Sequence, residues 1–214
     1  MRRAEGHGKR QGVTARWGLK AAWREAPPDP DQASDMTMPI LRKTMRKVLV
    51  IGSGGAGKSI FARQLGTLLN LDVIHLDALY WHPGWVETPR AEWRKVIEEL
   101  LRRDAWIIDG NYSNTLDLRL EACDTVIFLD IARLICLWRV LKRAIRYRGR
   151  TRPDMAEGCR ERLDWGFIRW VWSYQRRTKP RIIEILRQSA QSKEVIWLRS
   201  QAEVKRFLAS AKDV

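Results

Sequence analysis

From Lys47 onward the chain alternates between two apolar patterns. Short apolar runs occur at residues 48–51, 73–76 (with His75 inside it), 106–108, 126–129 and 195–198. Runs of four or so apolar residues with no polar interruption are expected of strands buried on both faces of a parallel sheet. Between them the apolar residues fall at helical spacing. Over 58–69 they stand at positions 61, 62, 65, 68 and 69, one stripe of an amphipathic helix. A second helix is predicted to be capped by Thr88, to open at Pro89 and to run to about Arg103, with Trp93, Val96, Ile97, Leu100 and Leu101 inward. Residues 131–147 predict a long helix, apolar in its first half and basic in its second. Residues 148–164 carry Gly149, Pro153 and Gly158 and no clear period. Helix is expected again over about 165–178 and 181–189, and Ser200 is expected to cap a last one. Strands separated by helices imply an α/β fold, a doubly wound parallel five-stranded sheet with right-handed connections.

Directly after the first apolar run, residues 52–59 read Gly-Ser-Gly-Gly-Ala-Gly-Lys-Ser. The pattern Gly-x-x-x-x-Gly-Lys-Ser between a buried strand and a helix is a phosphate-binding loop, the Walker A motif. Glycines let the backbone turn tightly and aim its N–H groups at phosphate oxygens. The following helix adds its positive N-terminal end. Gly52, Ser53, Gly54, Gly55, Ala56, Gly57, Lys58 and Ser59 are therefore expected to bind ATP. Lys58 would reach the β- and γ-phosphates, and the Ser59 hydroxyl would face Mg²⁺.

The formal charge of +15 is unevenly placed. Residues 130–181 hold 15 basic and 5 acidic groups, so this stretch alone carries most of the excess. It must face phosphates of a small ligand, nucleic acid, or solvent and counterions. Residues 1–44 combine scattered charges with Gly6, Gly8, Gly12, Pro27, Pro28 and Pro30. They read as a disordered basic extension, and 45–214 as the folded domain. No apolar run approaches the ~18–20 residues of a membrane-spanning helix, so no membrane partner is expected. The N-terminus shows no secretory apolar region. Cys123, Cys136 and Cys159 lack metal-ligand spacing and read as idle thiols of a reducing compartment. A cytoplasmic location is expected.

With the phosphate loop, four stretches stand out together. They are His75-Leu76-Asp77, then Tyr80-Trp81-His82-Pro83-Gly84-Trp85, then Ile108-Asp109-Gly110-Asn111-Tyr112, and Arg150-Thr151-Arg152-Pro153-Asp154-Met155. Over roughly 45–190 the chain resembles the small bacterial P-loop proteins known as DNA topology modulation proteins, which look like relatives of adenylate kinase and other nucleoside or nucleotide kinases. The resemblance implies a sheet order 2-3-1-4-5 and an arginine-rich lid over about 148–164. It implies an ATP- and magnesium-dependent transferase acting on a nucleoside, nucleotide or similar small-molecule acceptor. Asp77, after the second strand, is expected to contact the acceptor or act as general base. Asp109, after the third, is expected to hold magnesium through water as a Walker-B-like residue, with Asp130 after the fourth strand as its competitor. Arg143 and Arg150 are expected to serve the lid, where cations match charge spreading over a transferring phosphoryl group. Adenylate kinases continue the third strand into Asp-Gly-x-Pro-Arg, whose arginine grips the acceptor nucleotide. Here Asn111, Tyr112 and Ser113 follow Asp109-Gly110, which speaks against a nucleoside monophosphate acceptor, AMP in particular.

The chain has eleven tryptophans. Trp81 and Trp85 could stack a base or pack, whereas Trp93, Trp106, Trp138 and Trp197 lie in core-facing patterns. His75 reads as a core residue with its polar atoms satisfied, and His82 as a loop residue that could meet a ligand. The rival to the enzyme is a nucleic-acid-associated nucleotide-binding protein that influences DNA topology. Its basic segment would grip DNA while the phosphate loop acts as a switch. No helix-turn-helix, zinc finger or other DNA-reading motif is apparent.

Overall fold

A computed structural model describes residues 45–190 and 192–212, so the extension expected over 1–44 lies outside the described residues. In chain order the first elements are β1 (Lys47–Gly52), α1 (Lys58–Leu69), β2 (Val73–His75), α2 (Leu76–Tyr80), β3 (Trp81–His82), β4 (Val86–Glu87) and α3 (Arg90–Leu101). There follow β5 (Trp106–Asp109), a 3₁₀ turn (Ser113–Thr115), α4 (Leu116–Ala122), β6 (Thr125–Leu129) and α5 (Arg133–Arg146). The last are α6 (Trp165–Arg177), α7 (Lys179–Ser189), β7 (Glu194–Leu198) and α8 (Gln201–Ser210). Among the described residues no helix is long and apolar enough to cross a membrane.

The five expected strands pair in parallel in the order β2-β5-β1-β6-β7. Counted as five, this is the expected 2-3-1-4-5, the sheet of a P-loop NTPase fold. Side chains alternate across the pleat, and the core follows that parity. Val48, Val50, Ile107, Ile127 and Leu129 meet Phe61, Ala62 and Leu65 of α1 and Val204 and Phe207 of α8. Leu49, Ile51, Trp106, Ile108, Val126 and Phe128 meet Trp93, Ile97 and Leu100 of α3, Leu116 and Leu120 of α4, and Ile182 and Leu186 of α7. The register sets His75 beside Asp109 and Val50 beside Asp109. The C-terminal ends of β2, β5 and β1 thus share one edge, the edge at which ligands bind in open α/β sheets.

Several local expectations change. Thr88 does not cap α3. Its hydroxyl donates to the Tyr80 carbonyl (2.6 Å) and meets His82 Nε2 (3.2 Å), and Pro89 holds the cap position. Ser200 caps α8 as expected, its Oγ accepting from the Glu203 N–H at 3.1 Å. The second strand stops at His75, so Leu76 and Asp77 open the short α2. Trp138 is 65% exposed rather than core-facing. The reason lies in how closely α5 approaches the phosphate loop. A Cβ on Gly55 would sit 2.3 Å from the Cys136 carbonyl oxygen, so α5 turns its small residues Cys136, Val140 and Ala144 inward and its bulky ones out.

Candidate functional site

The phosphate loop leaves β1 at Gly52 and enters α1 at Lys58. Gly55 and Gly57 take positive φ (78° and 97°), where a side chain is strained. Gly54 is fixed by space instead, since a Cβ there would lie 2.6 Å from the Phe167 ring. Lys58 Nζ donates to the Gly52 and Ser53 carbonyls, both at 3.1 Å. An ammonium has three protons, so one remains for a ligand. Arg139 braces the loop from α5, donating from Nη1 to the Ala56 carbonyl (3.1 Å) and from Nη2 to Gln201 (2.6 Å).

Asn111, a departure from the adenylate-kinase pattern, clamps the loop from the end of β5. Its Nδ2 donates to the Gly52 carbonyl (2.7 Å) and its Oδ1 accepts from the Gly52 N–H (3.1 Å). The 110–115 turn that carries Asn111 is held in turn by Arg119. That guanidinium is fully buried and donates to the carbonyls of Gly110 (2.8 Å), Asn111 (2.9 Å), Tyr112 (2.7 Å) and Thr115 (3.3 Å). Burial lowers its pKa to about 10, which leaves it charged at neutral pH. Sequence reasoning did not single it out. It sits between Leu118 and Leu120, and its partners are backbone carbonyls that leave no trace in composition.

Asp77 lies in the first turn of α2, and its Oδ1 accepts from the Tyr112 hydroxyl at 2.7 Å. Burial first, and the charge of Asp77 next, raise the Tyr112 pKa far above its ordinary value, so the phenol stays a donor and Asp77 Oδ2 is left to others. Asp109 is 4% exposed and meets His75 Nδ1 at 2.6 Å. His75, expected as a satisfied core residue, has the β5 carboxylate at the sheet edge as its partner. Asp130, the competitor for the magnesium role, is bound to Lys179 Nζ at 2.7 Å.

One cleft of about 560 Å³, a size typical of small-ligand sites, joins several of these parts, while Ser59, Asp109 and Asp130 are not among the residues that line it. Gly54 and Lys58 line it from the phosphate loop, Asp77 from α2, Asn111 and Tyr112 from the β5 turn, and Trp81, Trp85 and Glu87 from the β3–β4 hairpin. Arg143, Arg152, Glu161, Arg162 and Asp164 line it from α5 and the 147–164 segment. That segment folds on itself through bridges between Arg148 and Glu161 and between Thr151 and Arg160. Of the two lid arginines expected, Arg143 is in the cleft, whereas Arg150 is exposed and does not line it. Arg152 stands in the cleft instead, in a stretch where no period could tell 150 from 152. Glu161, 6% exposed, lies between the two arginines. Its Oε2 is 2.6 Å from Arg152 Nε and 3.4 Å from Arg143 Nε, ion pairs by distance, while its Oε1 accepts a long hydrogen bond from Arg143 Nη2 at 3.5 Å. Burial and repulsion from Arg152 lower the pKa of Arg143. Burial alone would raise the pKa of Asp154, but Arg152 (2.9 Å), its own backbone N–H and the Ser59 hydroxyl outweigh that and lower it.

The hard oxygen donors expected to serve a metal are the Ser59 hydroxyl, with Asp154 beside it, and Asp109 at the end of β5. Among the described residues no group of three or more His, Cys, Asp or Glu forms a metal cage. The donor set suits magnesium, which commonly takes one or two protein oxygens, substrate phosphates and water.

No model of a known protein family matches the chain, and no curated protein matches it. The likeness to DNA topology modulation proteins thus rests on the sequence motifs alone. Solved structures with a similar fold include a sugar kinase from a Janibacter species, at 16% identity and a TM-score of 0.43 over 78% of this chain and 92% of that one. A gluconokinase from Sinorhizobium meliloti matches at 13% identity and 0.42, over 78% and 90%. A shikimate kinase from Bacteroides thetaiotaomicron matches at 14% and 0.41, over 79% and 97%. Likeness at this level identifies neither an acceptor nor a reaction for this chain.

Proposed function

We propose that the chain is an ATP-dependent small-molecule kinase that works with magnesium. The observation that supports this most is that one cleft holds both a phosphate loop with its lysine and a carboxylate, Asp77, with an oxygen to spare. In this reading Lys58 and the backbone N–H groups of 52–59 hold the β- and γ-phosphates. Ser59 and, through water, Asp109 would hold magnesium, which neutralises charge on those phosphates. The acceptor hydroxyl sits against Asp77. Its oxygen forms a bond to the γ-phosphorus as the bond from that phosphorus to the β–γ bridging oxygen breaks. The electron pair leaves with ADP, and the hydroxyl proton passes to Asp77. Arg143 and Arg152 offset charge on the transferring group.

Part of the basic segment is committed to the fold rather than left to grip DNA. Arg139, Arg143, Arg152 and Lys179, all from that segment, are already engaged inside the fold. ADP formation should therefore rise on addition of a pool of small hydroxyl compounds and stay unchanged with duplex DNA. Stimulation by DNA alone, weakening by about 0.9 log unit per log unit of salt for each phosphate contacted, would favour the rival.

A further inference from the structure

The kinase reading leaves the acceptor open, and the cleft walls bear on it. Trp81 and Trp85 of the hairpin meet edge-to-face, with centroids 5.5 Å apart at 68°. Phe167 and Trp170 lie nearly parallel, 5.6 Å apart at 23°. All four line the cleft. Trp85 is also held in place at a cost. Its φ is +67°, an outlier for a bulky residue and a kind of strain that clusters at ligand sites. Its Nε1 donates to the Arg160 carbonyl at 2.9 Å, so its ring is tied to the 147–164 segment.

The charges along the cleft complement the aromatic walls. Asp77 and Glu87 each receive one tyrosine hydroxyl, from Tyr112 on Oδ1 (2.7 Å) and from Tyr80 on Oε2 (2.9 Å). Each keeps its other oxygen as an acceptor. Arg143 and Arg152, paired with Glu161, are assigned in the kinase reading to the transferring phosphoryl group, and Lys58 belongs to the phosphate loop, so these cations serve ATP rather than the far end of the acceptor. Arg162 lies with its guanidinium carbon 6.0 Å from the Trp85 ring. A phosphate on the acceptor would thus approach two carboxylates, whereas hydroxyls would donate to them.

We propose, resting on the kinase reading, that the acceptor is a neutral hydroxyl compound bearing a flat aromatic or heteroaromatic ring, of which nucleosides are one class. The ring stacks on the tryptophans, and hydroxyls donate to Asp77 and Glu87.

The test gives the full chain ATP, magnesium and matched probes: nucleosides, their 5′-monophosphates, and ringless sugars and sugar acids. Neutral ring compounds should show kcat/KM at least tenfold above their monophosphates and the ringless set. Trp85→Ala should raise the acceptor KM by roughly 5- to 150-fold, the usual worth of one stacked ring, and Trp85→Phe should recover much of it. ATP affinity measured without acceptor reports whether each variant is folded. Preference for a monophosphate or a ringless compound, or an unchanged KM in Trp85→Ala, overturns the acceptor assignment and leaves the kinase standing. ATP consumed only to inorganic phosphate with every probe overturns both.

Discussion

Lys58→Ala is expected to weaken ATP–magnesium binding about a hundredfold while the fold survives. The ammonium sits at the start of α1, donating to two carbonyls of the loop, and has a third proton for the ligand. A hydrogen bond to a charged group is worth about 1.5–3 kcal/mol, and a phosphate contact adds attraction between full charges in a partly dehydrated cleft. About 2.8 kcal/mol corresponds to a factor of 100. The two carbonyls left behind are at the cleft wall and can take water, so stability should fall by no more than about 1 kcal/mol. Titration calorimetry with ATP and magnesium checks the affinity, and thermal melting checks the fold. An alanine variant binding as tightly as the parent would remove the loop from nucleotide binding altogether.

Arg119→Met should cost about 3 kcal/mol or more of stability, a large share of the ~5–15 kcal/mol that holds an ordinary domain together. Methionine fills much of the space but donates nothing, leaving the carbonyls of Gly110, Asn111, Tyr112 and Thr115 without the donor they have now. Buried acceptors stripped of a partner cost about 1–3 kcal/mol each, with strong non-additivity within one network. The damage should reach the site as well. Asn111 clamps Gly52 and Tyr112 holds Asp77, so Arg119→Lys, which can reach only some of the carbonyls, should fold and yet bind ATP more weakly. Urea unfolding gives the first number and calorimetry the second. A loss below 1 kcal/mol in Arg119→Met, with ATP affinity intact in Arg119→Lys, would mean the turn holds itself.

The sheet and the phosphate loop were legible because their causes are local. An unbroken apolar run specifies a doubly buried strand such as β1 or β6, and a phosphate cradle needs consecutive glycines, a lysine and a serine at fixed spacing. Asp77 and Asp109 were singled out by their place at the ends of strands. What they touch was not legible, because His75–Asp109 and Tyr112–Asp77 join residues more than thirty positions apart. Asn111 entered the sequence reading as a missing adenylate-kinase feature. In the fold it is a clamp on Gly52, fifty-nine positions away. Trp138 shows a different failure. Helical period tells which residues share a face, and only the close packing of α5 on Gly55 decides that small residues face inward. The hairpin of β3 and β4, two residues per strand, is too short for any period to register.

The central claim is that the γ-phosphoryl group, held by Lys58, passes to a small molecule seated at Asp77. The most direct measurement follows its destination. Full-length protein is incubated with ATP labelled in the γ-phosphate, magnesium and a metabolite extract, and the products are separated by size and charge. The label should appear on a small organic molecule, in amounts matching the ADP formed, and should be lost from it in Asp77→Asn by a factor of about 10²–10⁴. Label found only in inorganic phosphate, or equal transfer by Asp77→Asn and the parent, would contradict the account.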